Sequence, residues 1–312
     1  MTIQNILLHD ADDISQFLYQ ATGMVPGYTQ FSTGAANLNY QVFEVDGVSL
    51  LWAKCQSHCR WQDQMTDDGR LHFAVMLKAE NGATSLGHAL SSQDAMLFRP
   101  GHDMDYVFHG AVETLEIGVS RELVDELGWT FSGPPLARLP GPELEQLVKV
   151  CRRASALVTQ VGGGGSAAPG LAVARGDILN ALEAALTPWL PTQYAASFEF
   201  LRSNRYHQVV RKMDKFMGSV NEPFVDLTSV SRALGVGRRS LFYAFRRSMG
   251  LTPGRYLELL RLNDLRSRLE KADASRQTVT QIATEMGFGD LGRMAGKYQN
   301  QFGEFPKETL RR

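Results

Sequence analysis

The last third of the chain repeats one set of helix signals twice, and that repetition limits its fold more than any other feature. Asp226 is a good N-cap for a short helix over 227–234, with Val230, Ala233 and Leu234 on its inner face. Gly235 can take the left-handed conformation that closes such a helix. Two residues later a second helix starts at Arg238, reads RRSLFYAFRRS, and is closed by Met249-Gly250. Thr252-Pro253 then caps and opens a long helix to about Glu270. Thr278 caps 279–286, Gly287 ends that helix, and Asp290 opens another that stops near Gly303. A preceding helix is expected from about His207 to Val220, ending before Asn221-Glu-Pro223. Short helix, tight turn and second helix form the helix-turn-helix arrangement.

Charge gives these helices a partner. The 312 residues carry a net charge of −1, which on its face argues against nucleic acid. The distribution reverses that inference. Residues 1–205 hold 13 Lys and Arg against 22 Asp and Glu, whereas residues 206–312 hold 19 against 11. Such asymmetry between segments marks a nucleic-acid-binding part. In the helix from Arg238, Leu241 and Phe245 are four apart and face inward. Arg238, Arg239, Phe242, Tyr243, Arg246 and Arg247 are left outside. A basic second helix of this kind fits the major groove of double-stranded DNA. Two units on one stiff helix would place their recognition helices in adjacent grooves, roughly 34 Å apart.

Upstream, from about 38 to 120, the pattern is strand-like. Residues 40–45, 72–77, 95–98 and 114–119 are short runs rich in β-branched and aromatic residues. Asp46-Gly47, Asp68-Gly69, Asn81-Gly82 and Arg99-Pro-Gly101 separate such runs as turns. A small barrel or sandwich follows, of a size that can enclose one small ligand. The aromatics Trp52, Trp61, Phe73, Phe98, Tyr106 and Phe108 are either its core or the wall of a pocket. Beyond Ser120 the period becomes helical. One helix from Pro142 carries Leu144, Leu147, Val148, Cys151, Leu157, Val158 and Val161 and ends at the glycines 162–165. A second carries Ile178, Leu179, Leu182, Leu186 and Trp189 before Pro191. These two helices are either intramolecular core or a subunit interface. The fold class expected is therefore α+β.

A composition of 44% hydrophobic and 21% charged residues excludes a disordered chain. The N-terminus has no basic region and turns acidic at Asp10, Asp12 and Asp13, unlike a signal peptide. No uncharged apolar run approaches the ~18 residues of a spanning helix. A cytoplasmic protein is expected. The three cysteines, Cys55, Cys59 and Cys151, cannot make a disulfide framework. Cys55-Gln-Ser-His58-Cys59 is read as packing, with a metal or a Cys55–Cys59 redox bridge as alternatives. A structural zinc site needs a second ligand pair, which is missing. His102 and His109 are seven residues apart and lack the close His-x-His pair of a barrel metal site. No metal, cofactor or catalytic constellation is expected, and the protein is read as not an enzyme.

Residues 206–312 resemble the DNA-binding domain of the AraC/XylS family of bacterial transcription regulators. The motifs are Leu241…Phe245…Gly250-Leu-Thr-Pro253, Tyr256-Leu257…Arg261-Leu262, Ile282-Ala283…Gly287-Phe288 and Phe302-Gly303…Pro306. Phe98-Arg-Pro-Gly101, residues 114–123 and Leu291-Gly292 are further similar to regulators of amine and ethanolamine use. The resemblance implies a cupin-like effector-sensing and dimerisation domain over 1–200 and a DNA-binding domain over 206–312. It implies an activator that works as a homodimer with RNA polymerase, controlled by a small-molecule effector. The acidic balance of 1–205 would suit an amine, and a merely soluble surface equally.

By the same resemblance Arg239 and Tyr243 face bases, Phe242 meets a thymine methyl, and Arg246 and Arg247 meet phosphates. Arg238, Ser240, Leu291, Arg293 and Lys297 complete the implied DNA contacts. Gly237 stands where the family has Ser or Thr, a substitution of a few tenths of a kcal/mol at an N-cap. Gly292 and Gly296 stand where it often has a polar and a basic residue, each costing ~1 kcal/mol of helix propensity. The first unit is therefore expected to dominate DNA binding. The rivals are a constitutive repressor whose barrel only dimerises, and a DNA-repair enzyme carrying the same kind of domain.

Overall fold

The computed structural model describes residues 3–8, 27–64, 70–92, 94–98, 103–133, 135–139, 141–161, 168–190, 199–201, 205–219 and 226–311. The expected turns at Asp68-Gly69 and Arg99-Pro-Gly101, the glycines 162–165, Asn221-Glu-Pro223, Pro191 and His102 lie outside the described residues. The order of elements is strands first and helices last, so the α+β class holds.

Two antiparallel sheets face each other. The larger joins β1 (Ile3–Leu8), β3 (Leu38–Val45), β4 (Val48–Cys55), β6 (Leu71–Ala79), β9 (Asp94–Phe98), β11 (Val112–Val119), β12 (Leu136–Arg138) and β13 (Glu199–Leu201), in the order β1-β3-β4-β11-β6-β9-β12-β13. The smaller joins β2 (Gly27–Gln30), β5 (His58–Gln64), β7 (Ala83–Ser85), β8 (His88–Ala89) and β10 (Asp103–His109), in the order β2-β5-β10-β7-β8. Strands therefore begin well before residue 38 and recur after residue 120, outside the stretch whose alternation was legible. Asp46-Gly47 joins β3 to β4 as a two-residue hairpin, with Val45 opposite Val48 and φ of 40° and 82°. Positive φ at both turn residues matches the twist of the flanking strands.

Side-chain alternation on these strands builds three layers of contact. Between the sheets lies a first core that includes Tyr40, Leu51, Met76 and Val112 from the larger sheet and Cys59, Trp61, Tyr106 and Phe108 from the smaller. The outer face of the larger sheet is covered by helices. Here α1 (Arg121–Glu126) leads on to α2 (Gly141–Val161) and α3 (Ala168–Leu186). Leu115, Ile117 and Val119 of β11 pack against Leu147, Cys151, Ile178 and Leu182 in this second core. The two helices are thus intramolecular core. Trp189, expected inside the second helix, lies just past its end and is fully buried against Phe73, 5.9 Å between ring centroids.

The C-terminal helices are α4 (Arg205–Ser219), α5 (Leu227–Ala233), α6 (Arg238–Met249), α7 (Pro253–Lys271), α8 (Val279–Glu285), α9 (Leu291–Phe302) and α10 (Pro306–Thr309), and α4, α6 and α7 meet the outer face of the smaller sheet. Their boundaries follow local chemistry. Asp226 accepts from the Thr228 and Ser229 amides, Thr252 from Arg255, Thr278 from Gln281 in a capping box, and Asp290 from Arg293. Gly237, as expected, begins α6 without a side-chain cap. Val230 is fully buried on α5, but Ala233 is exposed and Leu234 half-buried. Leu234, just past the end of α5, still packs against the same core together with Leu227, so of the three residues expected inward only Ala233 turns out.

Helix α7 is shared. Its Tyr256, Leu257 and Leu259 belong to the core with Val230, Leu241 and Phe245, and its Leu262, Leu265 and Leu269 belong to the core with Ile282, Met294 and Phe302. One helix thus holds both helix-turn-helix units in a fixed relation.

Candidate nucleic-acid interface and barrel cavity

Burial of Leu241, Ala244, Phe245, Ser248 and Met249 fixes which way α6 turns. The remaining side chains, Arg238, Arg239, Ser240, Phe242, Tyr243, Arg246 and Arg247, are exposed together. Phe242 and Tyr243 are 38% and 61% exposed, and large aromatics on a water-facing helix are candidates for contact with a partner. Arginine guanidinium groups beside them supply bidentate donors for guanine edges or phosphates.

The second unit presents less. Arg293 on α9 is exposed and Leu291 is half-buried. Lys297 is half-buried and ion-paired with Glu258 of α7, whose carboxylate also accepts from Arg255 at 2.6 Å. Burial opposes the charge on Glu258, but the hydrogen bonds from Lys297 and Arg255 win and hold its carboxyl below the usual range. Gly292 and Gly296 add no side chain to the exposed face of α9. Arg261 anchors this unit, lying 4.3 Å from the Phe288 ring centroid and donating to the Met286 and Gly287 carbonyls.

The barrel holds a second candidate site between its sheets, a small cavity of about 40 Å³ that reaches about 480 Å³ only when the open solvent at its mouth is counted. Of the aromatics singled out from sequence, Trp61, Tyr106 and Phe108 line it. Phe98 stands behind Tyr106, 5.6 Å between ring centroids. Trp52 and Phe73 require a correction. Trp52 alternates with the inward Leu51 and Ala53, so it points out to α2, where its indole donates to Ser155 Oγ at 3.0 Å. Phe73 likewise faces Trp189 on the helix side of the larger sheet. Tyr40, Met104, Thr114 and Glu116 also line the cavity and were missed. The available signal was parity on β11: Val112, Thr114 and Glu116 share one face, opposite Leu115 and Ile117.

The cysteines divide in the same way. Cys55 and Cys59 both point inward with their sulfurs 3.6 Å apart, while His58 between them faces the helices. Cys151 is buried in the helix-covered core, and burial pushes its thiol up to about 12. No group of three or more His, Cys, Asp or Glu suited to a metal occurs among the described residues.

Between barrel and helices lies a polar junction. Arg60 on β5 is fully buried and donates to both carboxylate oxygens of Asp105 on β10, at 2.8 and 2.6 Å. It also pairs with Asp214 of α4 at 2.8 Å and donates to the Tyr256 hydroxyl of α7. Tyr256 in turn donates to Asp214 at 2.7 Å. Burial works against the Arg60 charge, but Tyr256, Asp105 and Asp214 outweigh it, and the guanidinium stays charged. Around this centre Asn263 of α7 exchanges two hydrogen bonds with the Gln30 backbone, each at 3.1 Å. Gln301 of α9 donates to the Ser32 carbonyl at 2.7 Å. His58 meets the Met249 carbonyl at the end of α6 at 3.1 Å. None of these long-range pairs was anticipated.

Comparison with known proteins agrees with this geometry for the C-terminal part. Residues 230–312 match the family model described as a helix-turn-helix domain. The segment is similar to regulators of the AraC/XylS kind. A "Probable thc operon regulatory protein" of Rhodococcus erythropolis is 37% identical over 103 residues, 33% of this chain and 31% of that one. The "XylDLEGF operon transcriptional activator 1" of Pseudomonas putida is 40% identical over 74 residues, 24% of this chain and 22% of that one. The matched region thus spans a third or less of these relatives. Among solved structures, the AraC-like transcriptional activator CuxR aligns with 85% of this chain and 96% of its own at 10% identity and a TM-score of 0.42. No helix among the described residues is long and apolar enough to cross a membrane.

Proposed function

We propose that this protein is a sequence-specific transcription regulator, an activator that reads DNA through α6 and is controlled by a small molecule in the barrel cavity. The observation that carries this reading is the exposed basic face of α6, set behind the short α5 as a second helix-turn-helix member. Arg239 and Tyr243 contact bases, Phe242 a thymine methyl, and Arg246 and Arg247 phosphates; α9 contributes mainly through Arg293. The sensing domain spans 1–200 and the reading domain 206–312. The protein acts in the cytoplasm as a homodimer, since paired modules raise avidity without new contacts, and it recruits RNA polymerase. It carries no catalytic step.

Control follows from the junction. An effector that binds one arrangement of barrel and helices better than another shifts the population toward it. Strands β5 and β10 touch the cavity with one face and the helices with the other, so they supply the mechanical link.

Footprinting of the intact protein on its own upstream region, at two salt concentrations, tests the assignment. Arg239→Ala is expected to weaken specific binding by ~1–3 kcal/mol, the worth of a bidentate arginine–guanine pair. Arg293→Ala is expected to cost less. Unchanged binding by Arg239→Ala together with loss of binding by Arg293→Ala overturns the reading.

A further inference from the structure

The cavity contains one feature that packing does not explain. Glu116 sits at an inward position of β11, opposite Leu51 on β4 and Ala74 on β6, both apolar. Its side chain lines the cavity together with Tyr40, Trp61, Tyr106 and Phe108. Its side chain is half-buried, and among the described residues no hydrogen bond or ion pair reaches its carboxylate. Burying a carboxylate without a partner is costly, and proteins seldom retain one without a use. Tyr106, 5% exposed, turns a second polar group into the same space, a hydroxyl with no hydrogen-bond partner. The titratable groups facing Glu116 are Tyr40 of β3, Tyr106 of β10 and Cys55 at the end of β4; His72 lies further along the inner face of β6, opposite Gly118. None is a fixed cation.

We propose that the cavity binds a small organic monocation, an alkylammonium ion, with Glu116 meeting its charge, Tyr106 accepting one N–H, and the aromatic rings holding its body. The proposal rests on the reading above that the barrel is the effector site, and it adds the ligand's chemical class. A cation supplies the missing counter-charge and is also attracted by the faces of tyrosine and tryptophan rings, more strongly where water is excluded. An anion would meet a carboxylate with no cation beside it. A neutral ligand would leave the carboxylate without a counter-charge.

Burial pushes the Glu116 carboxyl up to about 7, so binding strengthens as pH rises through that value. The carboxylate fraction, and with it the affinity, falls roughly tenfold between pH 8 and pH 6.

The test is calorimetric titration of the full-length protein with tert-butylammonium chloride, tert-butanol and sodium pivalate, which share one shape and differ in charge. The ammonium ion is expected to bind at least tenfold more tightly than the other two at pH 8, on the order of the 1.4 kcal/mol that separates them. Its affinity should fall toward pH 6. Glu116→Gln should lose that preference and the pH dependence while keeping or raising its Tm at pH 8, since it removes a buried charge and little volume. Equal binding of the ammonium ion and the alcohol, or retention of the preference in Glu116→Gln, overturns the ligand class. If the alcohol alone binds, and Ala53→Phe, which fills the cavity, abolishes it, the barrel remains the effector site and only the cation proposal falls. If none of the three compounds binds, both fall.

Discussion

His58 sits where the barrel meets the end of α6, the helix with the exposed basic face. Its ring lies 5.1 Å from Phe31 and 5.2 Å from His109, centroid to centroid, and its Nε2 lies 3.1 Å from the Met249 carbonyl. Burial, then the neighbouring His109, holds its pKa down to about 4 against the pull of that carbonyl. In the unfolded chain the ring titrates near 6.5. Between these values the unfolded state binds the proton more readily, so stability rises with pH across the window. The His58 contribution is complete above about 6.5 and is lost as pH falls toward 4. His58→Gln keeps a donor for the Met249 carbonyl without the titration. The difference in Tm between wild type and His58→Gln, measured by calorimetry, should therefore shrink or reverse from pH 7 to pH 4.5. Parallel curves would show that His58 does not titrate in this range.

Individual residues also show where sequence reasoning stops. The exposure of the α6 arginines was legible because four-residue spacing alone separates Leu241 and Phe245 from them. The partner of Arg60 was not legible, because Asp105 is 45 residues away and reaches it only through the pairing of β5 with β10. Trp52 and Phe73 fell on the wrong side of a sheet for a related reason. Alternation says that neighbours point apart, but which face meets the helices depends on elements more than a hundred residues downstream.

Among the elements, the helices of the C-terminal part were read almost to the residue. Their signals are local: an oxygen-bearing cap at one end and a left-handed glycine at the other. Gly235, Gly250, Gly287 and Gly303 all have φ between 62° and 78°. Two of them separate backbone strain from crowding. A Cβ on Gly303 would meet nothing within 4 Å, whereas one on Gly250 would lie 3.2 Å from His109 Nδ1 and 3.6 Å from His58 Cε1. Gly303→Ala should cost ~1–2 kcal/mol, the price of a left-handed non-glycine residue. Gly250→Ala should cost more, because His109 must also give way. Urea denaturation of the two variants gives the comparison, and equal losses would mean that the α6–barrel contact is looser than described.

For the whole molecule, Arg60 is the point on which strands and helices converge. Arg60→Met leaves Asp105 buried without its cation, the kind of change that typically costs ~3–5 kcal/mol. Asp105→Leu in the same chain should recover part of that loss, since an apolar pair of similar volume often replaces a buried ion pair without penalty. Calorimetry on the single and double variants checks both, and a double variant less stable than Arg60→Met would show that Asp105 is stabilised by groups other than Arg60. The single variant should also expose α4 to protease sooner, if the junction is what keeps α4 against β10.

The smaller sheet carries two kinds of information on alternate residues of the same strands. Along β5, Cys59 and Trp61 face the cavity while His58, Arg60 and Gln62 face the helices; along β10, Met104, Tyr106 and Phe108 alternate with Asp105, Val107 and His109. Substitutions can therefore alter the two sets separately. Exchanging Tyr106 for another lining residue changes the chemistry of the cavity, while Arg60 and Asp105 stay paired at the junction. The reverse holds for adjusting how firmly the C-terminal helices are held. Cavity lining and helix contacts share strands without sharing a single side chain, so a substitution in one set leaves the contacts of the other in place.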